Sequence, residues 1–307
     1  MDIVIIGLGR FGSALAHVYE SKGLRVHTVN RDDPWPFKDI KKAPPHAVFI
    51  TVQTQSIPEM WGQRAASLLS APYIVSTAKG LIKKFSQTPV EYLGDVLGRK
   101  FLGDLFVYSG PSFAKEVLEK KPTALVLASQ NSKALTLLSK LLSAENLRIY
   151  KSNDPYGVEV CGALKNVYAV ASGMSDGMGF GDNTRAALIS RALAEMCRIC
   201  ISLGGQKTTA FGLAGAGDLF LTCSSVQSRN YQFGYGLAQG RSSSELLSKL
   251  GTVEGAWTAT VAKQLCHKRK IRAPLIDTVS DILSGKLAPK DALFHLMTRE
   301  IRHEFEQ

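Results

Sequence analysis

Residues 2–12 have the sequence DIVIIGLGRFG, which decides the fold of the first half of the chain. The apolar run Asp2–Ile6 predicts a buried strand, and three glycines follow it in the spacing G-x-G-x-x-G. A helical pattern begins directly after them, and a second strand completes a unit of about thirty residues. We expect Gly7 to form the tight turn, Gly9 to let a pyrophosphate approach the backbone, and Gly12 to let helix and strand pack closely. The stretch therefore predicts a dinucleotide site at a helix N-terminus; the alternative is a glycine turn with a structural role alone.

Strand and helix patterns alternate through the first half of the chain. We predict strands over residues 2–6, 25–29, 47–52, 73–76, 105–109 and 123–128, with helices near 58–70, 86–98, 113–120 and 131–143 between most of them. This alternation predicts a Rossmann-type, doubly wound parallel sheet covered by helices. Residues 32–46 hold four prolines, so the crossover there is expected to be short and irregular rather than helical.

The second half of the chain has helical patterns only. Asn153-Asp154-Pro155 is a strong helix start, because Asp caps a helix and Pro is favoured in its first turn. Further helices are expected near residues 183–204, 217–223, 229–238, 242–249, 254–268, 274–284 and 289–296. The change of pattern predicts two domains: a dinucleotide-binding domain over residues 1–151 and an all-α substrate-binding and catalytic domain over residues 152–307.

Composition excludes several classes of protein. The chain has 307 residues, 45% of them apolar and 21% charged, which is ordinary for a globular protein and argues against disorder and fibrous repeats. No apolar stretch approaches the ~20 residues that span a bilayer, and no secretory signal is visible, so we expect a cytoplasmic protein without membrane insertion. The five cysteines do not suggest a disulfide framework, and Cys197-x-x-Cys200 lacks the further ligands of a zinc site.

The end of the second predicted strand bears on the choice of cofactor. A fold that selects NAD usually places an acidic residue there, where it holds the ribose hydroxyls. This chain has Asn30-Arg31, and an arginine can bind a ribose 2′-phosphate through two parallel hydrogen bonds. Asp32 and Asp33 follow at once and could repel that phosphate or bind the ribose instead. We therefore predict NADP as the cofactor, with NAD as the alternative; a solvated surface position is the other interpretation of Arg31.

Polar residues clustered in apolar or glycine-rich surroundings mark candidate sites for chemistry. Four segments have this character: residues 77–80, 109–113, 162–166 and 214–230. Lys165 is the most informative residue, because its neighbours on a predicted helix, among them Ala163 and Val167, have the pattern of buried residues. Burying an ammonium group is costly unless it has partners or a function. We therefore expect Lys165 to lie in a functional site rather than on a solvated face.

At these segments the chain resembles the bacterial NAD(P)-dependent glycerol-3-phosphate dehydrogenases, and the resemblance runs nearly end to end. Its specific matches are residues 7–12, 79–81, 109–116, 164–167, 173–181, 214–223, 228–230 and 253–255. The resemblance implies interconversion of dihydroxyacetone phosphate and sn-glycerol 3-phosphate by hydride transfer, which supplies phospholipid synthesis. It also implies a small phosphorylated substrate, no required metal and no nucleic-acid partner, and it leaves a homodimer open.

The resemblance further implies roles for individual residues. Lys165 matches the catalytic lysine of the family. Positions that match substrate contacts are Lys79, Gly110, Ser112, Asp218, Ser228, Arg229 and Asn230, with Asn166 and Thr222 as further members of the site. Positions that match cofactor contacts are Arg10, Phe11, Arg31, Lys79, Ala114, Arg229 and Glu254, besides the three loop glycines. The chain departs from the family at Tyr231, where a second arginine often follows Arg-Asn, and in residues 32–46, which are fewer than usual.

Two other functions stay open at this stage. One is an NADP-dependent reductase of another small 2- or 3-hydroxy acid on the same two-domain plan, although Arg229-Asn230 favours a phosphorylated substrate. The other is a non-catalytic NADP-sensing protein or a basic nucleic-acid binder. Lys and Arg outnumber Asp and Glu by 37 to 26, and this net charge of +11 suits either a nucleic acid or an anionic small ligand. The presence of the whole polar set argues against the non-catalytic function.

Overall fold

The computed structural model describes residues 2–30, 33, 45–60, 73–84, 86–98, 103–298, 300, 303 and 304. The chain divides into two compact units. The first consists of Met1–Lys79 and Gln87–Glu159, and the second consists of Gly80–Ser86 and Val160–Gln307. The functional division expected between residues 151 and 152 stays a prediction.

The first unit is built on a seven-stranded sheet. Its strands, β1 to β7 in chain order, are Asp2–Ile6, Arg25–Val29, Ala47–Ile50, Ile74–Ser76, Leu105–Ser109, Thr123–Ala128 and Leu147–Ser152. They lie in the order β2-β1-β3-β4-β5-β6-β7, and every neighbouring pair is parallel except β5–β6. The Rossmann-type sheet predicted from the alternating pattern is confirmed, with one antiparallel pair as the exception.

Helices of the first unit pack against this sheet. They are α1 (Arg10–Ser21), α2 (Pro89–Leu97), α3 (Ala114–Leu118) and α4 (Ser132–Leu142). Ile3, Phe49 and Phe106 lie in one buried core with Leu15 and Tyr19 of α1, and none of the five has any exposed surface. This core fixes α1, and with it the glycine stretch at its start, against the sheet. The helix predicted over 58–70 and the crossover predicted over 32–46 fall largely outside the described residues.

Strand β7 is absent from the prediction made on the sequence. It pairs only with β6 and forms one edge of the sheet, so Leu147 is buried while Arg148 and Lys151 are exposed. An edge strand that carries charged side chains has no apolar run to reveal it. The antiparallel direction of β6 was likewise not encoded in the pattern of apolar residues, since periodicity does not report strand direction.

The second unit is helical. It contains most of α5 (Pro155–Gly177), followed by α6 (Gly181–Ser202), α7 (Lys207–Phe211), α8 (Asp218–Cys223), α9 (Arg229–Ala238), α10 (Ser243–Leu250), α11 (Glu254–Lys268), α12 (Pro274–Leu283) and α13 (Pro289–Met297). The start predicted for α5 is present, because Asp154 Oδ1 accepts a hydrogen bond from the backbone N–H of Gly157 at 2.9 Å. The short helix α7 was not predicted. Among the described residues, no helix combines the length and apolar character needed to cross a bilayer.

Helices α5 and α9 approach each other closely at glycines. A Cβ placed on Gly173 of α5 would lie 2.0 Å from the carbonyl oxygen of Tyr231, and one on Gly234 of α9 would lie 2.0 Å from that of Val170. Both distances are far below any real carbon–oxygen contact, so neither position accepts a side chain without separating the helices. The two helices are therefore held in backbone contact, and this places the start of α9 beside α5.

Two buried glutamates cap helices in the fold. Glu159 accepts the backbone N–H of Val90 at 3.1 Å with each carboxyl oxygen, and Glu195 accepts those of Leu275 and Ile276 at 3.0 and 3.1 Å. Burial raises the pKa of Glu159 to about 8 and that of Glu195 to about 7, against an ordinary value of 4.5, although the backbone donors oppose the shift. Both carboxyls therefore retain their proton in the folded state at a pH where the unfolded chain has lost it.

We expect the free energy of unfolding to fall as the pH rises from about 4.5 to about 8. In this window the folded state holds more protons than the unfolded state, so raising the pH favours unfolding, and the stability contributed below it is lost above it. Urea unfolding across the window measures the slope. Glu195→Gln should reduce the slope, whereas the exposed control Glu245→Gln should leave it unchanged. A flat profile in the parent protein would contradict the expectation.

Candidate functional site

The three glycines of the first loop have the geometry that dinucleotide binding requires. Gly7 has a φ of +98°, a region that only glycine adopts readily. A Cβ on Gly12 would lie 2.1 Å from the carbonyl oxygen of Gly7, so helix and loop touch there. A Cβ on Gly9 would meet nothing within 4 Å, so the backbone at the start of α1 is open to an approaching group. The residues present therefore fit a pyrophosphate at this helix N-terminus.

Two side chains that directly follow other strands form hydrogen bonds with this loop, and sequence reasoning missed both contacts. The hydroxyl of Thr51, directly after β3, donates to the carbonyl oxygens of Ile6 at 2.9 Å and Gly7 at 2.5 Å. Asn30, directly after β2, accepts the backbone N–H of Leu8 on its Oδ1 at 3.0 Å. Their position after the strands was a usable signal, because carboxyl ends of neighbouring parallel strands meet at one edge of the sheet.

The predicted cofactor residues of the first unit are placed as follows. Arg10 is exposed and Phe11 is half-buried, both in the first turn of α1 next to the loop. Arg31 lies outside the described residues, so its role in selecting NADP stays a prediction. Asp33 turns back toward the strand end, where its Oδ2 accepts the backbone N–H of Asn30 at 2.6 Å.

Gly9→Ala and Gly12→Ala are expected to separate cofactor binding from folding. A methyl at Gly12 collides with the loop backbone, so Gly12→Ala should destabilise the protein by about 1–3 kcal/mol. A methyl at Gly9 meets no protein atom, so Gly9→Ala should retain its melting temperature and bind NADPH more weakly. Thermal unfolding and NADPH titration by fluorescence measure the two effects. A Gly9→Ala protein with unchanged NADPH affinity would contradict a pyrophosphate at this loop.

A second cluster lies at the carboxyl ends of β4 and β5. The carbonyl oxygen of Gly110 accepts two hydrogen bonds, from Nζ of Lys79 at 2.8 Å and from the hydroxyl of Ser112 at 3.0 Å. Gly110 has a φ of +135°, which a residue with a side chain rarely adopts. Ala114 follows as the first residue of α3. The structure thus brings together the three predicted substrate positions of the first unit.

In the second unit, Lys165 lies on α5 with its ammonium group buried. Its Nζ donates to Oδ1 of Asp218 at 2.9 Å and to the hydroxyl of Thr222 at 2.7 Å, and the residue is only 7% exposed. The Thr222 hydroxyl donates in turn to the carbonyl oxygen of Asp218 at 2.6 Å. An ammonium group has three donors, and the third has no partner within the described part of the chain. Lys165 is therefore held in one orientation by two partners on α8, with one N–H left for a ligand.

A π-helix sets the position of Asp218. Residues Leu213–Gly217 form this wider turn immediately before α8, and such turns are frequent at functional sites. A Cβ on Gly215 would lie 2.1 Å from the carbonyl oxygen of Ala210, so only glycine permits the close return of the chain. Nearby, burial raises the pKa of the Cys223 thiol, and the positive charge of Lys165 opposes the shift. The thiol is therefore neutral beside the ion pair.

Asn166 and Asn230 link α5, α9 and α11. The Asn230 amide donates to Oδ1 of Asn166 at 2.8 Å and accepts the backbone N–H of Gly255 on its own Oδ1 at 2.9 Å. A Cβ on Gly255 would lie 2.4 Å from the carbonyl oxygen of Asn166, so the backbones themselves are close. These contacts fix the side chain of Asn230, which lies one residue before Tyr231 in the first turn of α9.

Three other predicted residues surround this link. Ser228 is buried and caps α9, since its hydroxyl accepts the backbone N–H of Tyr231 at 3.2 Å. Arg229, the first residue of α9, is exposed. Glu254 is half-buried at the first residue of α11. Ser228 therefore stabilises the start of α9, while the guanidinium of Arg229 is exposed at the same helix start.

Two family models match the chain. The model described as NAD-dependent glycerol-3-phosphate dehydrogenase N-terminus matches residues 38–135, and the one described as its C-terminus matches residues 154–294. The chain belongs to the NAD-dependent glycerol-3-phosphate dehydrogenase family. The resemblance noted in the sequence is thereby confirmed, and Lys79, Lys165 and Asp218 all lie within the matched residues.

Individual relatives agree with this membership. A glycerol-3-phosphate dehydrogenase [NAD(P)+] of Synechocystis is 37% identical over 99% of this chain and 96% of its own length. One from Acaryochloris marina is 38% identical over 98% of this chain and 97% of its own. The crystal structure of the glycerol-3-phosphate dehydrogenase of Coxiella burnetii, 34% identical, covers 97% of this chain and 99% of its own, with a TM-score of 0.87. Family and fold are thus supported over nearly the whole length.

The family places the observed geometry in a chemical setting. Within the described residues, no group of three His, Cys, Asp or Glu side chains is arranged to hold a metal ion. Instead, the structure provides a buried ammonium group with an oriented N–H and, in the other unit, an open helix N-terminus. The first can donate a proton to a developing oxyanion, and the second can hold the phosphates of a dinucleotide.

Proposed function

We propose that this chain interconverts dihydroxyacetone phosphate and sn-glycerol 3-phosphate with NAD(P)H, and that the product supplies phospholipid synthesis. The observation that carries the proposal is the buried ammonium of Lys165, held by Asp218 and Thr222 in a member of this family. A buried lysine with two fixed partners and one remaining donor suits a ketone reductase, because the reaction develops negative charge on the carbonyl oxygen.

The reduced nicotinamide, when bound, supplies the hydride that attacks the ketone carbon. Lys165 then donates a hydrogen bond from its remaining N–H to the carbonyl oxygen, stabilises the charge that develops there and transfers the proton. In the oxidative direction the neutral amine accepts the proton of the alcohol. Asp218 and Thr222 hold Nζ of Lys165 in place throughout, so the catalytic group is already oriented before the reaction begins.

Substrate binding is assigned to residues of both units. In the first unit these are Lys79, Gly110 and Ser112, and in the second Lys165, Asn166, Asp218, Thr222, Ser228, Arg229 and Asn230. The substrate phosphate is assigned to Arg229 and Asn230, since a guanidinium and the N–H groups at a helix start both favour an anion. Gly110 and Ser228 act through the groups they hold in place, Lys79 and the start of α9.

Cofactor binding is assigned mainly to the first unit. The residues are Gly7, Gly9, Arg10, Phe11, Gly12, Arg31, Lys79 and Ala114, with Arg229 and Glu254 from the second. The open backbone at Gly9 supports the position of the pyrophosphate. NADP is the expected cofactor, with NAD as the alternative. We further propose residues 1–151 as the dinucleotide-binding domain and residues 152–307 as the helical catalytic domain; a homodimer and a cytoplasmic location stay predictions.

A comparison of ketone substrates tests the proposal. The purified protein is assayed by the loss of NADPH and of NADH absorbance with dihydroxyacetone phosphate, with dihydroxyacetone and with a 2-oxo acid. We expect the phosphorylated ketone to give the largest kcat/KM, and NADPH to be used in preference to NADH. Turnover confined to the 2-oxo acid would establish a hydroxy-acid reductase instead.

A further inference from the structure

Tyr231 joins three helices of the second unit through a single carboxylate oxygen. Its hydroxyl, on α9, donates to Oδ2 of Asp176 on α5 at 2.6 Å. The same oxygen accepts Nη1 of Arg185, on α6, at 2.8 Å, and Arg185 also pairs with Asp182. Tyr231 is only 8% exposed, and burial together with the hydrogen bond to the carboxylate raises the pKa of its phenol to about 12. The phenol is therefore a permanent donor to Asp176 at neutral pH.

The adjacent residues Asn230 and Tyr231 form hydrogen bonds with α5 at two points that are far apart along that helix. Asn230 donates to Asn166, the residue after Lys165, while Tyr231 donates to Asp176, ten residues further on. At a rise of 1.5 Å per residue, these two anchors are about 15 Å apart along the helix. Between them, the carbonyl of Tyr231 lies against α5 at Gly173, where a Cβ would come within 2.0 Å.

This arrangement restrains both the rotation and the tilt of α9 at its first turn. Backbone contacts at Gly173 and Gly234 set the distance between α5 and α9, and the two side-chain anchors on either side of Gly173 restrain the direction of the first turn of α9. Arg229 is the residue directly before both anchors, and its exposed side chain depends on them for its direction relative to Lys165. Displacing a phosphate-binding group by a fraction of an ångström weakens its charge-assisted hydrogen bonds, because their strength depends on distance and angle.

We propose that Tyr231, through Asp176 and Arg185, is a positioning residue that holds the phosphate-binding start of α9 in register with Lys165. The proposal rests on the function proposed above. The proposal concerns a different place in the second unit, because the Tyr231 hydroxyl binds Asp176, whereas the ammonium of Lys165 binds Asp218 and Thr222. It predicts that loss of the phenolic hydroxyl weakens recognition of the phosphate group and spares the chemistry.

Tyr231→Phe keeps the ring and removes only the hydroxyl. We expect KM for dihydroxyacetone phosphate to rise about 3- to 10-fold with kcat nearly unchanged, in line with the loss of one hydrogen bond that acts indirectly. Competitive inhibition by inorganic phosphate should weaken by a similar factor. The kcat/KM for dihydroxyacetone, which has no phosphate, should stay the same. Asp176→Asn, which retains an acceptor but loses the charge that holds Arg185, should give a smaller change in the same direction.

Tyr235→Phe is the matched control, since Tyr235 lies one turn along the same helix and is 45% exposed. It should change none of these constants. An unaltered KM and phosphate inhibition in an active Tyr231→Phe protein would overturn the positioning role, as would equal losses with both ketones. A parent protein that does not reduce dihydroxyacetone phosphate would overturn the proposed function and this inference together. Failure of the positioning role alone leaves the parent protein active, so the two failures are distinguishable.

Discussion

Lys165→Ala is expected to lower kcat for dihydroxyacetone phosphate by about 10²–10⁴-fold, the range for a lost general acid. The ammonium group is the only cation that the structure holds buried by a carboxylate and a hydroxyl together within the described residues. Alanine removes both the hydrogen bond to the developing oxyanion and the proton source. KM should change much less, because the phosphate contacts assigned to Arg229 and Asn230 remain. Steady-state kinetics in both directions measures the effect.

A second ion pair in the same unit provides the control for this substitution. Lys263 binds Asp281 at 2.6 Å, on helices that carry none of the assigned residues beyond Glu254. Lys263→Ala therefore removes a lysine from an ion pair without touching the site, and its kcat should equal that of the parent. If Lys165→Ala retains normal turnover and a normal unfolding transition, Lys165 has no role as the acid.

Asp218→Ala is expected to destabilise the protein by about 3–5 kcal/mol and to reduce activity. It leaves a buried ammonium group without its counter-charge, and an uncompensated buried charge is far more costly than the loss of an exposed ion pair. The side chains of Lys165 and Asp218 are 9% and 2% exposed, whereas those of Lys263 and Asp281 are 21% and 30% exposed. Asp281→Ala should therefore cost only about 0–1 kcal/mol. Urea unfolding compares the two variants directly.

The double variant Lys165→Met/Asp218→Ala separates the charge effect from simple loss of packing. Methionine fills much of the volume of the lysine stem and needs no counter-charge, so most of the stability lost in Asp218→Ala should return. Activity should not return, because the proton donor is absent. A double variant as unstable as Asp218→Ala would show that Asp218 stabilises the fold by other means than pairing with Lys165.

Much of the fold could be predicted because the decisive patterns are local. The apolar run before Gly7 and the G-x-G-x-x-G spacing are contained in eleven consecutive residues, and Asp154 and Pro155 encode a helix start within two. Lys165 was identifiable because a charged residue among apolar helix neighbours conflicts with burial. These inferences needed no knowledge of the tertiary structure.

What the sequence did not show depends on contacts between distant segments. β7 is an edge strand whose exposed charges conceal it, and the direction of β6 is set by its neighbours in the sheet rather than by its own residues. The hydrogen bond from Thr51 to Gly7 joins residues 44 apart in the chain, and that from Tyr231 to Asp176 joins residues 55 apart. Local sequence does not state which distant residues meet, so the folded chain is needed to identify each pair.

The most direct test of the account is a progress curve with NADPH and dihydroxyacetone phosphate in which the product is identified. We predict that one sn-glycerol 3-phosphate forms for each NADPH oxidised in the parent protein, and that Lys165→Ala binds NADPH normally while forming product far more slowly. A protein that binds NADPH but oxidises it no faster than the blank would contradict the enzymatic function and favour a sensing role for the same fold.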